Sequence, residues 1–273
     1  MIEVKEFPDR QFENNDELFK ALKENKKSLV SLKKSAEKRA DSISANYTHS
    51  EITTKSENGI ITDPSKLLVK IVINTTNFLD SHNDLHINGI WNKSVSDNKT
   101  FLHLQEHERE FDKVISDNAN GYVQSISWRE LGLNYNGKTE ALIFESTIEK
   151  KRNEFMFEQY ANGWVKNHSV GMRYVDIELA INSNSEQDKE EKDMWDKYYP
   201  QIANKEVADE RGWFWIVAQA KIIEGSAVVM GSNSATPTIS VEQKSEAVID
   251  TSNTEPPIGT QINNKEFFIN LLK

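Results

Sequence analysis

The sequence predicts an α+β protein whose sheet is mostly antiparallel. Three observations carry that expectation. Apolar, β-branched and aromatic residues gather in short runs through the middle of the chain, with turn signals between them. Few helical stretches separate those runs. Both ends are polar, so one core of moderate size should carry two appendages.

Residues 14–43 predict one amphipathic helix, capped by Asn15 or Asp16. Leu18, Leu22, Leu29, Leu32, Ala36 and Ile43 follow a 3-4 spacing, and Asn25 and Arg39 fill the two seam positions that are not apolar. A single buried Asn can set the register of a coiled coil. Between Glu17 and Asp41 stand eight basic and four acidic residues, a local charge of +4. The segment (1–45) therefore suits either a helix lying on the core or a docking, scaffold-like helix. Residues 46–65 predict a polar linker ending in the turn signals Asn58-Gly59 and Asp63-Pro64.

The core, 66–236, should begin with a strand at Lys66–Thr76. Further strands are expected at Tyr122–Trp128, Glu140–Ile148 and Val170–Ile181, and at the most apolar run of all, Trp213–Ile223. Arg152–Val165 reads as a helix. Residues 182–212 read as a charged insertion, helical in its first half. From Ser232 the composition turns to Ser, Thr, Asn, Pro and Glu, which predicts a flexible tail, with 237–273 outside the core. Its last nine residues hold Phe267, Phe268, Ile269, Leu271 and Leu272, an apolar peptide suited to docking or to folding back.

Composition excludes several chemistries. With no cysteine there is no disulfide, thiolate metal site or Cys nucleophile. A net charge of -10 argues against general nucleic-acid binding. No apolar run reaches membrane-spanning length and no signal-peptide core is present, so a soluble, intracellular protein is expected.

Three histidine patterns invite chemistry. Asp80-x-His82-x-Asp84-x-His86 would place four ligand types on one face of a strand, but turn residues surround it. His103-x-x-Glu106-His107 matches the inverted zincin signature. On a helix, His103 and His107 would share a face and Glu106 would act as base; a strand over Thr100–Gln105 fits equally well. Asn167-His168-Ser169-Val170-Gly171 is half of a nucleophile elbow. On a strand, His168 points away from Ser169, so the base must come from elsewhere.

Taken in order, several segments resemble the caudovirus prohead proteases, serine peptidases of phage capsid maturation. The segments are Asp84–Trp91, Thr100–Glu108 with His107-Glu108, Ser169-Val170-Gly171-Met172, Ile222-Ile223-Glu224-Gly225-Ser226-Ala227-Val228-Val229, and Gly231–Ala235. The likeness spans roughly 68–236. Gly225, Met230-Gly231 and the length of the 182–212 insertion depart from the family pattern. The resemblance implies an assemblin-like antiparallel β-barrel surrounded by helices. It implies Ser169 as nucleophile and His107 as general base, with Glu224 as third member and Asp112 and Glu178 in reserve. It implies no cofactor and no metal. Its substrates would be the major capsid protein, the scaffold and the protease itself. Self-association inside the assembling prohead, in the host cytoplasm, is expected, with neither nucleic acid nor membrane as partner. The competing expectations are a zinc peptidase using residues 103–107 and a non-catalytic capsid scaffolding protein.

Overall fold

The computed structural model describes residues 1–37, 53–56 and 65–244. A short ribbon, β1 (Ile2–Glu3) with β2 (Gln11–Phe12), precedes helices α1 (Asn15–Glu24) and α2 (Lys26–Ser35). Then follow β3 (Thr53–Ser56), β4 (Lys66–Thr75), β5 (Asp84–His86), α3 (Asn92–Asp97) and β6 (Thr100–Gln105). Next come β7 (Val114–Ser127), β8 (Lys138–Glu149), α4 (Glu154–Ala161) and β9 (Asn167–Ile181). Helices α5 (Lys189–Tyr198) and α6 (Lys205–Arg211) lead to β10 (Trp213–Val228) and β11 (Thr238–Lys244).

The α+β class holds. Nine strands form one mixed sheet in the order β3-β11-β4-β8-β7-β6-β10-β5, with β9 on the other edge of β10. The pairings of β10 with β5 and β6, and of β11 with β3, are parallel; the others are antiparallel. The expected barrel does not close among the described residues. β9 pairs with β10 alone, and α2 and α5 pack against it.

β10 is the axis. Its N-terminal run is buried on both faces, which explains its unbroken apolarity. Trp213, Trp215 and Val217 pack with Phe12, Leu18, Leu22 and Leu29 of the N-terminal segment. Phe214 and Ile216 pack with Trp195, Ile202 and Ala208 of the 182–212 insertion.

The single helix expected over 14–43 is two. Asn14, rather than Asn15 or Asp16, caps α1, its side chain accepting from Glu17 N at 3.0 Å. Asn25 ends α1: its backbone (φ -102°, ψ 3°) leaves the helical region, while its N–H and its Nδ2 both donate to Ala21 O, at 3.1 and 2.9 Å. Leu18, Leu22 and Leu29 are buried but Leu32 is 64 % exposed, so the seam ends on this chain's own core. Residues 38–43 lie outside the described residues.

Charge fixes the docking. Lys33 Nζ lies 2.6 Å from Asp84 Oδ1, 3.4 Å from Glu6 Oε1, and 5.3 Å above the Trp215 ring. Burial pulls this ammonium down, yet the Asp84 and Glu6 carboxylates outweigh it and hold the Lys33 pKa above its usual range.

The flexible tail expected from Ser232, with 237–273 outside the core, is contradicted as far as Lys244; residues 245–273 lie outside the described residues. Segment 232–238 is anchored and β11 is a full member of the sheet. Polar bonds do the anchoring. Asn233 Nδ2 donates to Thr75 O at 3.0 Å, Thr236 Oγ1 to His168 O at 2.6 Å and Thr238 Oγ1 to Val165 O at 2.9 Å. The apolar stretch 265–273 lies outside the described residues.

Breaking a buried ion pair by removing one partner typically costs about 3–5 kcal/mol. Lys33→Ala should lose that much in urea unfolding, and adding Asp84→Asn should restore part of it.

Candidate active site

The site is assembled from β6, β9 and β10. In the β9–β10 register Ser226 stands opposite Ser169 and Glu224 opposite Gly171. Directly opposed residues share a face, so Ser169, Glu224 and Ser226 point the same way. A bulge makes this possible. Ile222 pairs with Met172 and Glu224 with the very next β9 residue, Gly171, so Ile223 is the extra residue. Without it Glu224 would oppose Val170 and point into the core.

β6 runs parallel on the other edge of β10, with Leu104 opposite Ser226. Past its end the chain turns through two left-handed residues, Glu106 (φ 51°) and His107 (φ 60°). Such backbone costs on the order of 1–3 kcal/mol per non-glycine residue. Three bonds hold it: Glu106 N to Ala227 O at 2.9 Å, His107 N to Ser226 Oγ at 3.1 Å, and Val229 N to Glu106 Oε1 at 2.8 Å.

The turn folds His107 back over the sheet, where its Nδ1 lies 2.6 Å from Glu224 Oε1. Ser226 Oγ donates to Glu224 Oε2 at 2.6 Å, so each carboxylate oxygen has a donor. A carboxylate accepts, so in the neutral ring Nδ1 carries the proton and donates, and Nε2 carries the lone pair. His107, Ser169, Glu224 and Ser226 are all buried. No side-chain hydrogen bond of Ser169 occurs among the described residues. In free enzymes such bonds often tighten only with substrate. Gly171 is required by space: a Cβ there would sit 1.8 Å from Glu224 Oε1.

Other candidates fall elsewhere. Asp112 pairs with Lys113 and is mostly exposed, and Glu178 pairs with Lys26. The zincin spacing does not fall on a helix. His103 lies in β6 opposite Gly225, hence on the face away from Glu224, and His107 lies beyond the strand. The Asp80–His86 pattern is also divided. Asp80 Oδ1 closes its own turn by accepting from His82 N and Asp84 N. Asp84 bonds Lys33 and Tyr174, and His86 contacts Asn74 and Tyr174. Among the described residues no group of three or more His, Asp or Glu is placed to hold a metal ion. Gly171 and Ser226 were missed as site residues. The two-residue spacing of Glu224 and Ser226 on a strand was the available signal for the second.

Behind Ser169, on the core face, runs a chain of hydrogen bonds with one direction. Thr236 O is 3.0 Å from His168 Nδ1 and, being a carbonyl, must accept. Neutral His168 therefore accepts at Nε2 from Tyr160 Oη at 3.0 Å. Tyr160 has spent its only proton, so His103 Nε2 donates to it at 3.0 Å, and Ser146 Oγ donates to His103 Nδ1 at 3.0 Å. Burial holds the His168 pKa down to about 4 and His103 well below its ordinary value, so both rings stay neutral. The chain ties β6, α4, β9 and segment 232–238 together immediately beside the serine.

Two grooves flank the site. One, of about 360 Å³, includes Glu106, Phe155, Trp164, Asn167 and Val229. The other, of about 520 Å³, includes Leu102, Arg109, Arg173 and Lys221, with Glu37 paired to Arg109.

Fold and site thus define an α+β protein with a buried His–Glu pair beside a serine on one sheet face. Compared with family models, curated proteins and solved structures, the chain matches none.

Gly171→Ala should displace Glu224 and uncouple His107 with neither of those two residues substituted. The downfield imidazole N–H resonance expected for Nδ1 in the wild type should vanish in this variant.

Acid should destabilise the fold. Burial holds His86, like His168, down to about 4, so below pH 6.5 the unfolded chain takes protons that these rings refuse. Each ring then costs about 2 kcal/mol at pH 5, the loss starting near 6.5 and levelling off near 4. Asp80 opposes this. Burial and the Asp84 charge raise it to about 7, so it gains a proton in the fold on acidification. Urea unfolding should show a net loss from pH 7 to 5, and Asp80→Asn should steepen it. A flat profile contradicts the assignment.

Proposed function

We propose that this chain is a serine endopeptidase of phage prohead maturation. The observation that carries the proposal is the 2.6 Å bond between His107 Nδ1 and Glu224 Oε1, on the sheet face that also presents Ser169. The order of segments that resembles the prohead proteases supports the same reading.

In this reading Ser169 Oγ attacks the scissile carbonyl as His107 Nε2 takes its proton. The imidazolium then returns that proton to the leaving amine, and water repeats the cycle on the acyl-enzyme. Glu224 orients the ring and balances its charge. Ser226 holds the second carboxylate oxygen, and Gly171 leaves the space. No metal or cofactor takes part. An assemblin-like barrel is not needed for this chemistry, because the β6–β10–β9 ribbon alone carries all the groups. The substrates are the major capsid protein, the scaffold and the chain itself, cut inside the assembling prohead in the host cytoplasm, where copies of the chain associate. In this reading nucleic acid and membrane are not partners.

Intact mass over time, alone and with capsid protein, tests the proposal. Ser169→Ala should lose on the order of a million-fold in cleavage, and Glu224→Gln about 10⁴-fold. Wild-type cleavage should be indifferent to a chelator. Fragments that persist in Ser169→Ala but vanish with chelator would instead favour a zinc peptidase. Wild-type samples that stay uncut, with capsid protein present, would favour a scaffolding protein.

A further inference from the structure

We propose that the Arg173–Lys221 pair binds an acidic side chain of an extended polypeptide, on the sheet face that presents Ser169 and further along it. The binding stands on strand register and charge. Only its consequence, that this acid selects the polypeptide for cutting, rests on the protease reading.

Register brings two cations together. Lys221 of β10 stands directly opposite Arg173 of β9. Side chains so opposed share a face with Cβ atoms about 5 Å apart, and like charges there repel. The β4–β8 ladder is arranged the other way: Lys66 opposes Glu149 and Lys70 opposes Glu145, and both pairs close, at 3.2 and 4.0 Å. Arg173 and Lys221 are exposed, and among the described residues neither has an acidic partner. The two acids lining the groove around them are engaged with other cations. Glu37 pairs with Arg109, and Asp117 with Arg152 at 3.4 Å. In a chain of net charge -10, a repulsive pair of cations left without an acid calls for a counter-charge from a ligand. A carboxylate suits both groups. The planar guanidinium can take its two oxygens together, and the ammonium adds a point charge.

Position selects a polypeptide over a free anion. Ser169, Gly171 and Arg173 alternate along β9 and so share one face. The extra residue Ile223 brings Lys221 and Glu224 to that same face, although they stand three apart in sequence. Arg173 lies four residues along β9 from Ser169, roughly 13 Å, the reach of about four residues of an extended ligand. The groove itself includes none of His107, Ser169, Glu224 and Ser226. It does include Leu102, 40 % exposed and opposite Glu224 in the β6–β10 register, hence on the same face. Leu102 is level with Gly171, midway between the row of Arg173 and the row of Ser169. A chain laid along the face covers this apolar side chain while its acid meets the cations, and a free anion covers nothing.

Binding is measured by fluorescence anisotropy on the full-length chain carrying Ser169→Ala. The probes are a labelled peptide of Glu-Gly-Ser repeats and its counterpart with Gln for Glu. The protein's net negative charge repels the acidic peptide, so a preference for it demands a local cationic site. The Glu peptide should bind about tenfold tighter at low salt, and the margin should shrink as salt rises from roughly 0.02 to 0.5 M. Arg173→Gln and Lys221→Gln should each remove most of the margin without lowering the Tm, since each relieves a repulsion. Arg129→Gln, which removes an exposed cation in the turn after β7, should keep it. No preference for the Glu peptide, or an equal loss in Arg129→Gln, would overturn the site. Tighter binding of a single-stranded oligonucleotide, with the same dependence on Arg173 and Lys221, would overturn it in favour of a phosphate ligand. Cleavage is read separately. Sites that the wild type cuts in the capsid protein, mapped by mass, should carry Asp or Glu about three to five residues from the cut, and Lys221→Gln should raise KM more than it lowers kcat. Cuts at sites without such an acid would overturn the consequence alone. An inert chain would sink the protease reading, and the anisotropy would still decide the binding.

Discussion

The register between β9 and β10 is the constraint on which the rest depends. A strand shows alternate residues to alternate faces, so a slip of one residue would send Ser169 and Glu224 to opposite sides. The extra residue Ile223 sets that phase. Upstream of it, Met172 and Ile222 are buried partners; downstream, Gly171 and Glu224 share the site face. Buried side chains on the core face then lock the phase, since Gly225 sits against Phe144 and Ile73 with no room for a side chain. The geometry of the candidate site is thus a by-product of core packing on the reverse of the same strands.

The two faces of this ribbon obey different rules. On the site face, a carboxylate collects two donors and orders an imidazole. On the core face, histidines are kept neutral and their protons are assigned by a carbonyl that cannot donate. His168 and Ser169 are neighbours in sequence yet lie on these separate faces, because alternation along β9 parts them. The left-handed turn at Glu106 and His107 is where the backbone strain gathers. Its cost is met by bonds to Ala227 and Ser226 at the end of β10 and to Val229 just beyond it.

Much of the fold was legible in the sequence because strand signals are local. The runs at 66–76, 140–148 and 213–223 needed only their own side chains to declare themselves. Asn25 read as a seam residue but is the C-cap of α1, its backbone outside the helical region. The other errors came where distant partners decide. Segment 232–244 read as a tail because its anchors are hydroxyls and an amide whose partners, Thr75, Val165 and His168, lie far away in sequence. Closure of a barrel came from resemblance alone, and β9 is covered by helices instead. At the site, His107 and Glu224 were paired through motif order, while the bulge that brings them together leaves no mark in composition.

The first 35 residues are more than an appendage. They supply Leu18, Leu22 and Leu29 to cover Trp213 and Trp215, and Glu6 to accept from the Trp215 indole N–H at 2.9 Å. They also carry the ammonium that neutralises buried Asp84. Trimming this end would therefore act as a fuse. It would bare two tryptophans and strand a carboxylate at the strand on which the site is built, so an N-terminal cut would retire the molecule and not release it.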